Sequence, residues 1–251
     1  MTGRPLVIAH RGSSAIAPEN TMPALVAAAL AGADMIEIDV QISADGGGVV
    51  VHDDTVDRTT DGSGRVADLG SDEVRHLDAG SWFEPVYART TMPLFGEVVE
   101  LLVRYPNLEL LLELKGAWPA EPARALLATI RDAGIGGRVL AQSASVDTMA
   151  TVRELAPELR RGLLVSRFTA EMLDVCTELG VTACNPHGRL LVDHPELVDT
   201  LHGWDMQVMV WTLNEAAHWA AATVAGVDGI ITDRPDRLLG WLDAQELPPP
   251  A

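Results

Sequence analysis

Lysine is nearly missing from this chain: of its 18 basic residues all but Lys115 are arginine, and they face 36 acidic ones, for a formal net charge of −18. A field of that sign repels phosphate backbones and anionic lipid surfaces, which excludes nucleic acid from the expected partners. Cysteine is almost as scarce. Cys176, in a helical pattern, and Cys184, in a strand-like one, form neither a disulfide framework nor a zinc motif, and both read as buried free thiols. No apolar run approaches the ~18 uninterrupted residues of a membrane span, so no membrane anchor is expected. The opening MTGRPLVIAHRG enters a strand with no long apolar segment and no small-residue cleavage site, which points to the cytoplasm by default. Neither an interdomain linker nor an internal repeat, beyond an alternation of strands and helices, divides the 251 residues.

What is present is the composition of a soluble globular protein, 47% hydrophobic and 22% charged. Strand-like runs recur at LVIA (6–9), MIEIDV (35–40), VVVHD (49–53) and LELLLELK (108–115). They continue at RVLAQS (138–143), RRGLLV (160–165), TACNP (182–186), QVMVWTL (207–213) and DGIITD (228–233). Helical patterns such as PALVAAALAG, FGEVVELLVRY and EPARALLATIRDAG separate most of them, a βα rhythm that predicts a TIM-type (β/α)8 barrel filling residues 1–251 as a single domain. One strand is surplus. The link ADGGG between MIEIDVQIS and VVVHDD is too short for a crossover helix, so these two are expected to pair as an antiparallel hairpin beyond the second stave. Residues 54–92, with two weak helical stretches, then read as a small insertion after the second strand, and the closing LPPPA as a frayed end.

Residues two apart on a strand share a face, so Glu37 and Asp39 point the same way among apolar neighbours. Like charges in such a setting stay ionised only if a cation sits between them, and a surface strand with two solvated acids is at odds with those flanks. Glu113 and Lys115 repeat the signal at the C-terminal end of the next stave, where barrel active sites lie, while Glu109 sits nearer the other end and reads as structural. Three hard oxygen ligands, Glu37, Asp39 and Glu113, without cysteine or a paired-histidine motif suit one divalent cation, Mg²⁺ or Ca²⁺, better than zinc. The alternative is an internal salt bridge from Lys115 to one carboxylate, which leaves negative charge in excess.

His10 and His52 stand at strand ends with charged neighbours, and the hairpin brings His52 back over the mouth that holds His10, Glu37 and Asp39. His76, His187, His194, His202 and His218 read as surface or satisfied core residues. Arg11 and Lys115 beside such an ion suit a phosphate oxygen. Asn20 or Thr21 is expected to cap the first helix, with Pro23 in its first turn; Asn214 and Asp233 are expected as helix caps as well. Glu19 stays open between orienting Arg11 and loop solvation, and Trp211 between walling the pocket and filling the barrel.

In this order the pieces HRG (10–12), PENT (18–21), EIDV (37–40), DGGGVVVHDDTVDRTTDGSG (45–64), ELK (113–115), WTLN (211–214) and ITDRP (231–235) resemble the glycerophosphodiester phosphodiesterase family. The resemblance runs from residue 5 to about 240 and is densest over 8–65. It implies a barrel with a small insertion after the second strand and a divalent cation held at Glu37, Asp39 and Glu113. It also implies a general acid and base at His10 and His52, phosphate contacts at Arg11 and Lys115, and a small-molecule glycerophosphodiester as substrate. QSAS (142–145) departs from relatives that often carry Ser followed by Phe, which implies an alcohol pocket without that aromatic wall. Two rival readings stand beside hydrolysis to sn-glycerol 3-phosphate: a related barrel phosphodiesterase acting on lysophospholipid or sphingolipid, phospholipase D-like, and a noncatalytic glycerophosphate-binding barrel.

Overall fold

The computed structural model describes residues 4–246, so the closing LPPPA lies outside the described residues. The strands are β1 (Leu6–His10), β2 (Met35–Ile42), β3 (Gly48–Val50), β4 (Glu109–Leu114) and β5 (Val139–Ser143). They continue with β6 (Arg160–Val165), β7 (Ala183–Pro186), β8 (Gln207–Val210) and β9 (Gly229–Thr232). β1 pairs in parallel with both β2 and β9, which closes eight parallel staves into a barrel in the order β1, β9, β8, β7, β6, β5, β4, β2. The helices that cover it are α1 (Met22–Ala31), α2 (Ser71–Val74), α3 (Phe95–Arg104), α4 (Ala120–Asp132) and α5 (Val146–Leu155). After them come α6 (Ala170–Leu179), α7 (Arg189–Asp193), α8 (Leu197–His202), α9 (Ala216–Val224) and α10 (Pro235–Glu246). Cys176 on α6 and Cys184 on β7 are free and buried.

Staves buried on both faces read as unbroken apolar runs, because one face packs on helices and the other fills the barrel. The alternation of side chains sorts them into layers. Ile8, Met35, Leu111, Leu140, Ala183, Met209 and Ile231 make an apolar plug inside the barrel. Two residues further along those chains the inward positions change character, to His10, Glu37, Glu113, Gln142, Asn185, Trp211 and Asp233. A polar layer at the C-terminal ends of the staves therefore rests on an apolar floor.

β3 is antiparallel to β2, with Val40 opposite Val50 and Ile42 opposite Gly48, as the ADGGG link requires. Gly46 takes the left-handed conformation in that turn, at φ +85°, which glycine adopts without strain. Residues 54–92 hold only α2 and two short 3₁₀ turns, at 66–68 and 85–87. They form a lid-like layer over a small core of Val49, Val51, Val56, Val66, Val74, Ala79 and Met92.

Candidate active site

Register builds the centre of the polar layer. In the parallel pairing of β1 with β2, His10 lies opposite Glu37, and in that of β2 with β4, Asp39 lies opposite Glu113. One oxygen from each of Glu37, Asp39 and Glu113 falls within 4.8 Å of the others. Glu37 and Asp39 are 2% and 1% exposed. Burial, with Asp39 and Glu113 close by, pushes the Glu37 carboxyl well above the usual range, although the Arg11 N–H donates to it at 3.0 Å. Burial and Asp39 raise Glu113 too. At Asp39 burial acts in the same direction but is outweighed by Arg11 and Lys115, so its carboxyl is held below the usual range. Three hard oxygen donors left with unbalanced repulsion in a buried site are the chemistry that fits a divalent cation.

Two fixed charges border the trio. Lys115 Nζ lies 2.8 Å from Glu113 and 3.6 Å from Asp39. Arg11 Nε lies 3.1 Å from Asp39, and its Nη1 donates to Glu19 at 2.7 Å. Glu19 thus orients Arg11 rather than sitting free in a loop. Arg11 itself takes φ +56°, an uncommon conformation for a residue with a Cβ, and persists there because its backbone and guanidinium are pinned at both ends.

Both histidines carry an aspartate on Nδ1. His10 meets Asp233 at 2.7 Å and His52 meets Asp53 at 2.7 Å. Asp233 stays ionised against its burial because His10 and Asn214 bond to it, and Asp53 is held low chiefly by Arg58. An ionised carboxylate accepts, so each Nδ1 is the donor and each Nε2 is left to exchange a proton. His52 comes from the segment after β3, whose Val51 N–H donates to the Asp39 carbonyl at 3.0 Å. Arg58 links the layers: it bonds both Asp53 and Glu19 and so joins the insertion to the Arg11 side of the barrel.

Three expectations from the sequence need correction. Asn20 does not cap α1; its Nδ2 donates to Asp39 at 2.9 Å and its Oδ1 accepts from the Asp39 N–H. Thr21 occupies the cap position, but its hydroxyl donates to the Pro18 carbonyl, so α1 has no side-chain cap. Asn214 and Asp233 bond each other, at 2.6 Å, and Asp233 turns to His10. Asn20 and Asp233, read from the sequence as helix caps, are site residues, and so are Asp53 and Arg58, which the sequence reading gave no role. The signals were that Asp53 follows His52 and that all four lie inside the pieces PENT, DGGGVVVHDDTVDRTTDGSG and ITDRP.

His10, Arg11, Glu37, His52, Glu113, Lys115 and Trp211 all line one cavity of about 270 Å³. Asp39, fully buried, does not line it. Trp211 walls the cavity rather than filling the barrel, its Nε1 donating to the Asn185 carbonyl at 2.8 Å. Ala144 of QSAS lines the same cavity. Glu109, as expected, is remote and pairs with Arg160.

Fold and polar layer together define an α/β barrel whose staves end in an acidic cavity flanked by two aspartate-backed histidines. The model of the glycerophosphoryl diester phosphodiesterase family matches residues 10–237. A glycerophosphodiester phosphodiesterase of Caldanaerobacter subterraneus is 36% identical over 236 residues, 93% of this chain and 96% of that one. Among solved structures, a phosphodiesterase of Oleispira antarctica in complex with the product sn-glycerol-3-phosphate has a TM-score of 0.86 at 30% identity, covering 96% of this chain and 97% of that one. The glycerophosphodiester phosphodiesterase of Agrobacterium tumefaciens has a TM-score of 0.82 at 28% identity, covering 94% and 99%. The chain belongs to the glycerophosphoryl diester phosphodiesterase family.

Proposed function

We propose that the protein hydrolyses small glycerophosphodiesters to sn-glycerol 3-phosphate and an alcohol, as a single barrel domain, in the cytoplasm, with no role for nucleic acid. The observation that carries this reading is that two aspartate-backed histidines line one cavity together with Glu37 and Glu113, whose carboxylates lie within 4.8 Å of Asp39. That the Oleispira antarctica structure holds sn-glycerol-3-phosphate supports it. Glu37, Asp39 and Glu113 would hold one Mg²⁺ or Ca²⁺, which when bound neutralises charge on a phosphate oxygen.

The chain's own residues do the rest. Arg11 and Lys115 hold the nonbridging oxygens, as fixed cations in a partly dry site. One histidine takes a proton at Nε2 from the nucleophile: either water, which gives sn-glycerol 3-phosphate directly, or the neighbouring glycerol hydroxyl, which gives a transient cyclic phosphate that water then opens to the same product. The other gives its Nε2 proton to the departing alkoxide. Asp53 and Asp233 keep the rings turned and the Nδ1 protons in place, while Trp211 closes one wall. Among the described residues no helix is long and apolar enough to cross a membrane.

A release assay tests this directly. Glycerophosphoethanolamine should yield sn-glycerol 3-phosphate, while lysophosphatidylethanolamine and sphingomyelin should be turned over far more slowly. Preferred hydrolysis of either lipid would replace this reading with the phospholipase D-like one, and binding without turnover would replace it with the noncatalytic one.

A further inference from the structure

A second cavity, of about 420 Å³, adjoins the first, and His10 and Arg11 line both. A phosphodiester has two arms. With phosphorus held at Arg11, each arm has a cavity of its own. The first is bounded mainly by inward side chains of the staves, with His52, Lys115 and Ala144 from the loops at their ends, which suits the invariant glycerol arm; Ala144 then faces that arm and not, as the sequence resemblance implied, the alcohol. The second is bounded by the loops after β1, β8 and β9 and by Phe83 of the insertion, which suits the arm that varies.

Charge in the second cavity is mostly spent. Glu19 is engaged by Arg11 and Arg58, and Arg11 by Glu19 and Asp39. Asp233 is taken by His10, Ser14 and Asn214. The exception is Arg234, a half-buried residue: its backbone is bonded to Thr232 and to the first turn of α10, but its guanidinium has no partner among the described residues. An unpaired guanidinium beside a cavity whose carboxylates already have hydrogen-bond partners is a site for an anion, and Arg suits a carboxylate because its fork can donate twice.

We propose that this cavity receives the leaving alcohol and that Arg234 selects alcohols carrying a carboxylate. The inference rests on the hydrolase reading and adds its substrate class. Glycerophosphoserine and glycerophosphoethanolamine are a matched pair, differing by one carboxylate. The ratio of their kcat/KM values, measured for wild type, Arg234→Gln and Arg234→Lys, is the test. Wild type should favour the serine diester about tenfold, mostly through KM, as one charge-assisted hydrogen bond provides. Arg234→Gln should bring the ratio near one, and Arg234→Lys should keep part of the preference. A ratio unchanged in Arg234→Gln, or a wild type active on both diesters without preference, overturns the assignment. A wild type that hydrolyses neither overturns the hydrolase reading itself, and this inference with it.

Discussion

His10 and His52 arrive from different elements, one at the end of β1 and the other after β3, and each is fixed through Nδ1 by an aspartate at 2.7 Å. General acid and base help contribute about 10²- to 10⁴-fold each, so His10→Ala and His52→Ala should each lose turnover by that order, with unchanged circular dichroism. Retention of most of the activity by either variant would remove that residue from the mechanism. Glu37 offers a second test at this scale. Its pKa in the fold is raised by burial and by its acidic neighbours. The fold therefore favours its protonated form; that contribution is complete below the ordinary glutamate value of about 4.3 and is lost as pH rises toward the raised one. In EDTA, Glu37→Gln should melt higher than wild type at neutral pH, and the gap should shrink as pH falls toward 4. A Glu37→Gln variant that melts lower at neutral pH would mean that its carboxylate stabilises the metal-free protein.

The first βα loop shows how the elements constrain the site. Gly12 follows Arg11 at φ +81°, and a Cβ built there would lie 2.5 Å from the Ala24 carbonyl carbon of α1. Gly12→Ala should destabilise the fold by more than about 1 kcal/mol in denaturant titration. Gly137→Ala, at a position with open space and an ordinary φ, should not. Equal stability of the two variants would show that the loop yields easily. The same elements explain what the sequence made legible. The staves were readable because burial on both faces leaves apolar runs, and the hairpin because ADGGG cannot span a crossover. The carboxylate trio was readable because Glu37, Asp39 and Glu113 are acids on inward parities. Asn20 and Asp233 were misread because a helix cap and a site ligand use the same residue types. Their partners, Asp39 and His10, lie 19 and 223 residues away, beyond any local pattern. Arg58 has no local signature either, since its pairing with Glu19 depends on how the insertion folds over the barrel.

Across the whole molecule the charge of −18 opposes an anionic substrate, and capture falls to a few local cations. For glycerophosphoglycerol, kcat/KM should rise as ionic strength goes from about 0.01 to about 0.15 M, because the screening length falls from about 30 to about 8 Å. A steep fall instead would indicate that Arg11, Lys115 and Arg234 dominate the long-range field. The barrel supplies a rigid floor, the insertion supplies His52 and Phe83, and the two meet over the carboxylate trio. The most direct measurement is a titration of Mg²⁺ and of Ca²⁺ into EDTA-treated protein, followed by calorimetry and by release of sn-glycerol 3-phosphate, for wild type and Glu113→Gln. Wild type should be inactive when stripped, bind about one ion and recover with it, and Glu113→Gln should do neither. Full turnover in EDTA, or undiminished ion binding by Glu113→Gln, would contradict a metal centre built from these three acids.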